Sequence, residues 1–404
     1  MNLEFNQITT VFLAIALFLL GGFILKKLNF LKKFCIPAPV VGGLLFAILV
    51  TIFKQAGLVN LTLDTSLQSL FMLTFFTTVG LGASFKLVKQ GGKLLVFYWL
   101  ACGFLALFQN IIGVSLAAAF GLKPILGVMM GAVSMEGGHG AATAFGGTLE
   151  GLGVDSALSI GLAAATFGLV AGGLVGGPTA KYLMTKYNLK PTETDENHEV
   201  AASLENGTHS SAGNQGIQFD SFMVQILIIT FCMAAGSYLG ELFSKATGFV
   251  LPNYVGAMFV AVIIRNIIDK FKKETIDMKS ISLIGDVTLG IFLSMALMSI
   301  KLWEVADLAL PMLAIVFVQV VFIVLFAVFV LFRLFGKDYD AAVMIGGFTG
   351  HGLGATPNAM ANMFAITDQF GPSRKAFLIV PIVGAFLIDV FGMPIIITTI
   401  NLLK

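Results

Sequence analysis

The chain has 404 residues, 57% of them apolar and only 11% charged, against roughly 45–50% and 25% in ordinary globular proteins. So little charge cannot cover a soluble surface, which excludes a soluble enzyme and a disordered chain, and a net charge of +2 makes no case for nucleic acid. Three scattered cysteines (Cys35, Cys102 and Cys232) exclude a disulfide scaffold, and no Cys/His spacing resembles a metal site.

A bilayer core takes about 20 apolar residues per helix. Charge-free windows of that kind run from Phe5 to Leu25, Phe34 to Phe53, Thr65 to Phe85, Leu94 to Leu122 and Ser156 to Ala180. They resume at Ser221 to Gly240, Ala246 to Ile264, Ser280 to Ile300, Leu308 to Phe332 and Ala376 to Leu403, with Asp286 and Asp389 interrupting the third and last of these. The first window lacks a charged start and a cleavage site, so it reads as a span and not as a signal peptide. Two Gly-dense stretches, Pro124–Leu149 and Ala341–Thr367, are apolar but not helix-like. Irregular backbone at membrane depth is tolerated only where protein buries it or a cavity meets it. Both are expected to be re-entrant hairpins, about 124–149 and 341–367, the alternative being Gly-rich helices that pack closely.

Ten spans put both termini on one side, and the Lys/Arg bias makes that side the outside. Nineteen of the 24 Lys and Arg residues then lie inside, and only Lys54, Lys123, Lys245, Lys301 and Lys404 outside. Residues 185–219 carry Glu193, Asp195, Glu196, Glu199 and Glu205 among Ser, Asn and Gly, with His198 and His209, and read as a flexible cytoplasmic linker. They separate residues 1–184 from 220–404. The halves align at a nearly constant offset: Pro37 with Pro252, Lys86-Leu87 with Lys301-Leu302, Val128-Met129 with Val343-Met344, Ser134 with Thr349, and Pro178 with Pro394. Five spans per half is an odd number, so the second half must be inverted. The expected fold is an all-α polytopic membrane protein with two inverted-topology repeats of five transmembrane helices, each with a re-entrant hairpin. In many secondary transporters the site lies where such repeats meet, so the two tips, near Gly137–Gly140 and Gly350–Thr356, are expected to meet in the middle.

The first tip contains Ser134, Glu136, Gly137, Gly138, His139, Gly140 and Thr143. Glycines let backbone approach a ligand, helix starts attract carboxylates, and loop carbonyls coordinate Na+. An intramembrane carboxylate costs about 2.5–3.5 kcal/mol even on the lenient scale, so Glu136 marks either a functional site or a pair with His139 that holds the loop. The second tip contains Gly352, Gly354, Ala355, Thr356, Pro357, Asn358 and Asn362. Thr356 is expected to cap a helix that has Pro357 in its first turn, with Asn358 and Asn362 on one face. Asp389, within the last span, is the foremost candidate for a cation ligand or an ammonium partner, or else bonds a neighbouring helix. Gln109 and Asn110 offer amide oxygens to Na+ or bonds between helices.

These motifs resemble the bacterial sodium/glutamate symporter family over nearly the whole chain. The resemblance rests on Ile36–Gly43, Gly137-Gly-His-Gly140, Phe167–Pro178, Ala296-Leu-Met with Lys301–Glu304, Leu308–Ile315, Gly352–Pro357, Ala361-Asn-Met363 and Val383–Asp389. It implies Na+-coupled uptake of glutamate across the bacterial inner membrane, with no cofactor beyond the coupling ion, and a homodimer in the membrane lipid. One departure is His351, where the family pattern leads one to expect Phe. Alternating access of a hairpin core against a scaffold is the expected mechanism. A Na+- or H+-coupled carrier of another dicarboxylate or hydroxycarboxylate is the alternative. Neither an H-E-x-x-H nor a phosphate-binding G-x-x-x-x-G-K-[ST] motif occurs, which speaks against an intramembrane metalloprotease and an ATP-driven pump.

Overall fold

The computed structural model describes residues 2–28, 37–58, 60–191, 219–248, 251–271, 275–300 and 308–404. Most of the linker, with His198 and His209, lies outside the described residues, as do Cys35 and the stretch Lys301–Glu304. In the first half α1 (Gln7–Lys27), α2 (Ala38–Gln55), α3 (Gln68–Gly82) and α4 (Phe85–Ala119) precede a broken pair, α5 (Pro124–Val133) and α6 (Gly138–Gly151), and then α7 (Ala157–Tyr187). In the second, α8 (Phe219–Thr247), α9 (Asn253–Phe271), α10 (Met278–Met298) and α11 (Ala309–Leu334) precede α12 (Tyr339–His351) and α13 (Thr356–Phe370). The chain closes with α14 (Arg374–Ile382) and α15 (Ile388–Leu403), joined by a widened turn over Val383–Leu387. Both halves thus run three helices, a long helix, a broken pair and a further long segment.

Among the described residues each predicted span falls on helix, with shifted bounds and with the last span divided between α14 and α15. Among the described residues seven helical stretches are long and apolar enough to cross a membrane: α1, α2, Gly91–Ala119 of α4, α7, α8, α10 and α11. The other three depart for physical reasons. Helix α3 has 15 residues, about 22 Å at 1.5 Å per residue. The last turns of α9 carry Arg265, Asp269 and Lys270, and the final span is interrupted at Val383–Leu387. One element was not expected. Asn2–Phe5 is a short strand paired in parallel with Asn60–Leu63, so the chain is not purely helical. The Asn6 side chain accepts from the Thr9 amide at 2.9 Å and starts α1 there, leaving Phe5 outside the helix.

The helices sort into two groups. Helices α1, α2, α3, α8, α9 and α10 pack on one another and form a scaffold; the rest form a core around α4 and α7. Scaffold helices touch through glycine. Side-chain atoms at Gly21 and Gly42 would strike the carbonyls of Ala38 and Leu17, and an atom at Gly236 would strike the backbone of Ala257. Gly21 and Gly236 stand 215 positions apart, as do Gly42 and Ala257, so the α1–α2 and α8–α9 crossings fall at matched places. The packing also exchanges partners between halves: Gly80 of α3 lies against Met258 of α9, and Gly43 of α2 against Leu297 of α10. The groups meet along α10–α6 and where α3 touches Val383–Leu387.

Candidate functional site

The two breaks in the helices come together. The first lies at Glu136 and Gly137, the second at Gly352–Ala355. Gly138 has φ +61°, open to glycine at little cost, and a Cβ there would fall 2.5 Å from the Gly354 carbonyl oxygen. Each break contributes the end of one helix and the start of another. Neither start carries a side-chain cap: Gly137 precedes α6 and Ala355 precedes α13. Thr356 is therefore the first helical residue and not the cap, because the extended backbone bends one residue earlier, at Ala355. Pro357 still occupies the first turn, where its missing N–H leaves nothing unpaired. Helix starts carry partial positive charge and helix ends partial negative charge, so the junction offers both signs.

Acids flank the junction. Glu136 is buried and neither carboxylate oxygen has a hydrogen-bond partner. Asp389 is half-buried and lies within Coulombic range of Glu136. Glu136 does not pair with His139, whose Nε2 meets the Thr166 hydroxyl at 3.0 Å instead. The Ser134 hydroxyl donates to the carbonyls of Gly161, at 2.8 Å, and Met129, which ties the first hairpin to α7. Gly140 turns outward, 3.5 Å from Phe75 of the scaffold by the same Cβ test.

Amide side chains hold the hairpins in place. Gln109 Nε2 donates to the Gly352 carbonyl at 2.8 Å, and Gln319 Nε2 donates to the backbone carbonyl of Gln109 at 2.7 Å. The Oε1 atoms of both residues are buried without a partner. Asn110, next along α4, grips the other hairpin: its Oδ1 accepts from the Ala132 amide at 3.1 Å and its Nδ2 donates to Thr399 at 3.2 Å. Two adjacent residues of one helix thus hold the two hairpins. Asn358 and Asn362 share a face, as their spacing implies, and that face is turned to α7: their Nδ2 atoms donate to the carbonyls of Leu169 at 2.5 Å and Gly172 at 3.0 Å. His351 Nε2 lies 2.7 Å from the Tyr98 hydroxyl, and its Nδ1 is buried without a partner. A Cβ at Gly384 would lie 3.0 Å from the Thr356 hydroxyl, so α14–α15 closes over the second tip beside Asp389.

The structure thus gathers Glu136, Gly137, Gly138, Gly354, Ala355, Thr356 and Asp389 about one junction. Ser134, His139, Asn110 and Asn362 have structural partners, while Gln109 has one bonded end and one bare end. Sequence reasoning passed over Gln319 and Tyr98. Gln319 could have been found, as a lone amide in an otherwise apolar span; for Tyr98 there was no signal, because its partner is 253 residues away.

Fold and site together define a polytopic helical membrane protein with a polar junction at the meeting of two broken helices. The sodium/glutamate symporter family profile matches residues 3–372. A sodium/glutamate symporter of Haemophilus influenzae is 42% identical over 393 residues, covering 97% of this chain and 96% of its own. That of Escherichia coli is 40% identical over 388 residues, 95% of each chain. A solved structure, the sodium proton antiporter MjNhaP1 of Methanocaldococcus jannaschii, aligns over 98% of both chains with a TM-score of 0.45 and 16% identity. The chain belongs to the sodium/glutamate symporter family, a family of transporters and not of enzymes.

Proposed function

We propose that this chain carries glutamate into the cell together with Na+, by alternating access, with both bound at the junction of the two hairpins. Family membership supplies the substrate pair. The observation that carries the site is the convergence of two uncapped helix starts beside Glu136 and Asp389. Glutamate has two carboxylates and one ammonium. The carboxylates go to the first-turn amides of α6 and α13, where helix dipole and free N–H groups favour anions. One acid meets the ammonium. The other, with Gln109 Oε1 and hairpin carbonyls, meets Na+. Each cation lowers the cost of a buried carboxylate, so Na+ and substrate stabilise the same closed arrangement, which is the basis of coupling. Ser134, Asn110, Asn358 and Asn362 are positioning residues in this reading.

The sparse seam between scaffold and core supports the motion. A cavity of about 510 Å³ lies in it, lined by Leu70 and Leu73 of α3, Thr148 of α6 and Tyr254 of α9. The halves act as two inverted repeats in a bacterial inner membrane, both termini outside, with the hairpins re-entrant and the scaffold forming a homodimer contact. Uptake of labelled L-glutamate into proteoliposomes, with an inward Na+ gradient or with K+ in its place, tests the reading. Accumulation only with Na+ is expected. Transport of citrate or malate and not glutamate would leave the fold standing and sink the substrate.

A further inference from the structure

A furrow runs between α7 and α11, and two irregularities facing each other account for it. Pro178 has no N–H, so the Leu174 carbonyl loses its helical partner. Opposite, the hydrogen-bond ladder of α11 widens over Ala327–Leu331. Between these turns lies a cavity of about 460 Å³ lined by Val175, Pro178, Thr179, Tyr182, Val328 and Phe329 among others. The only hydroxyls among these six belong to Thr179, which donates to the Val175 carbonyl at 2.7 Å, and Tyr182. The seam between α4 and α15 is filled instead. There Trp99 lies 4.6 Å from Phe391, ring to ring, and donates to the Leu387 carbonyl at 2.6 Å.

Beyond the furrow each helix places a cation one turn after an aromatic residue. Lys186 follows Tyr182 by four positions, and Arg333 follows Phe329 by four. Both ends lie on one face of the molecule, since the rings of Tyr187 and Phe332 are 5.1 Å apart. Lys186 Nζ donates to the Tyr182 hydroxyl at 2.8 Å, and the Arg333 guanidinium donates to the Phe329 carbonyl. The two cations feel each other's charge, and among the described residues no carboxylate acts on Lys186. The bond to Tyr182 nonetheless raises the Lys186 ammonium above its ordinary value, so it stays charged at neutral pH. Two exposed cations at the same end of the furrow favour an anion there. Cation, aromatic ring and apolar furrow follow in the order of a lipid's headgroup, interface and chain.

We propose that this furrow binds one anionic phospholipid, its phosphate between Lys186 and Arg333 and an acyl chain along Pro178 and Val328. The full-length protein in detergent is titrated with phosphatidylglycerol or phosphatidylcholine, following the thermal midpoint and counting bound lipid by native mass spectrometry. Phosphatidylglycerol is expected to bind and raise the midpoint, and phosphatidylcholine to do neither. The double variant K186Q/R333Q changes only exposed side chains and is expected to weaken phosphatidylglycerol binding by about 30-fold. Val328→Trp, which keeps both cations but fills the furrow, is expected to lose the same lipid. Equal behaviour of the two lipids, or full binding in either variant, overturns the proposal. Equal protection by inorganic phosphate overturns it in favour of a simple anion site. Disulfide-linked dimers of a Phe329→Cys variant in liposomes overturn it in favour of a second copy of the chain.

Discussion

The scaffold and the hairpin core are both apolar in sequence, yet they hold together differently. In lipid no hydrophobic drive brings helices together, which leaves close packing and hydrogen bonds. The scaffold uses the first: Gly21, Gly42 and Gly236 let backbone meet backbone. Its span-embedded hydroxyls mostly bond their own helix, as Thr77 and Thr288 do at 2.7 Å. The core uses both: Gly113 and Gly127 let α4 and α5 meet backbone to backbone, and Gln109, Gln319, Asn110, Asn358 and Asn362 each bond another element. Bare buried polar atoms occur in both groups: Gln225 Oε1, the Tyr254 hydroxyl and Ser294 Oγ in the scaffold, and Gln109 Oε1, Gln319 Oε1 and Glu136 in the core. Among the described residues only the core leaves a carboxylate buried and bare, at Glu136.

The largest test of that contrast is charge removal in the core. Glu136→Gln and Asp389→Asn should each lower Na+-driven glutamate uptake by about 100-fold or more, the equivalent of a charge-assisted bond of about 3 kcal/mol. Both variants should fold, since neither acid holds a structural bond in the network described. Uptake kept in Asp389→Asn would move that residue to the structural column.

Glycine sharpens the contrast next. Gly42→Ala places a methyl group against the Leu17 backbone and should cost scaffold stability by about 1–3 kcal/mol or more, seen as low yield or a lowered thermal midpoint. Gly138→Ala forces a side chain into a left-handed conformation beside the Gly354 carbonyl, which costs about 1–2 kcal/mol before any clash. It should fold but lose uptake. Gly140→Ala, with ordinary contact to Phe75, should keep both. Loss of function in Gly140→Ala alone would misplace the junction. Asn362→Ala, smaller again, should lower stability by about 1–2 kcal/mol and leave the Na+ dependence of uptake unchanged, because it loses bonds to the Gly172 and Gly346 carbonyls and no ligand contact.

Much of this was legible in the sequence. Apolar runs marked the helices because bilayer thickness sets their length, and glycine density marked both helix breaks because broken backbone needs glycine, although the stretches around the breaks are helical and not irregular. Glu136 and Asp389 stood out because a charge in lipid is expensive. Which helices belong to the scaffold and which to the core was not legible: α2 and α7 are both apolar, Gly-rich helices, and only their neighbours differ. Nor was the use of each amide. The spacing of Asn358 and Asn362 gave a shared face, but whether that face met substrate or α7 depended on carbonyls 189 and 190 positions away. The strand Asn2–Phe5 was hidden because its partner begins at Asn60.

The smallest expected effect concerns the place where the chain passes from scaffold to core. Between α3 and α4, Asp269 of α9 accepts from the Ser84 hydroxyl at 2.5 Å and from Arg265 Nε at 3.0 Å, while Arg265 donates to the Leu81 carbonyl at 3.0 Å. Asn266 takes the Phe85 amide at 2.8 Å and donates to the Ala83 carbonyl at 3.0 Å. This clamp lies beyond the apolar part of α9 and fastens the start of α4 to the scaffold. Burial acts to raise the Asp269 carboxyl, but the bonds from Ser84 and Arg265 and the Arg265 charge outweigh it and hold the group below 3.8. A depressed carboxylate contributes stability above its unfolded value and loses it as pH falls through the folded one. Asp269→Asn should therefore lower the thermal midpoint by an amount worth about 1 kcal/mol, constant from about pH 8 to pH 5 and shrinking below about pH 4. Uptake should slow only modestly, since the clamp fixes a pivot and touches no ligand. A gap between variant and wild type that closed instead above pH 6 would mean that another titrating group, and not this carboxylate, governs the junction.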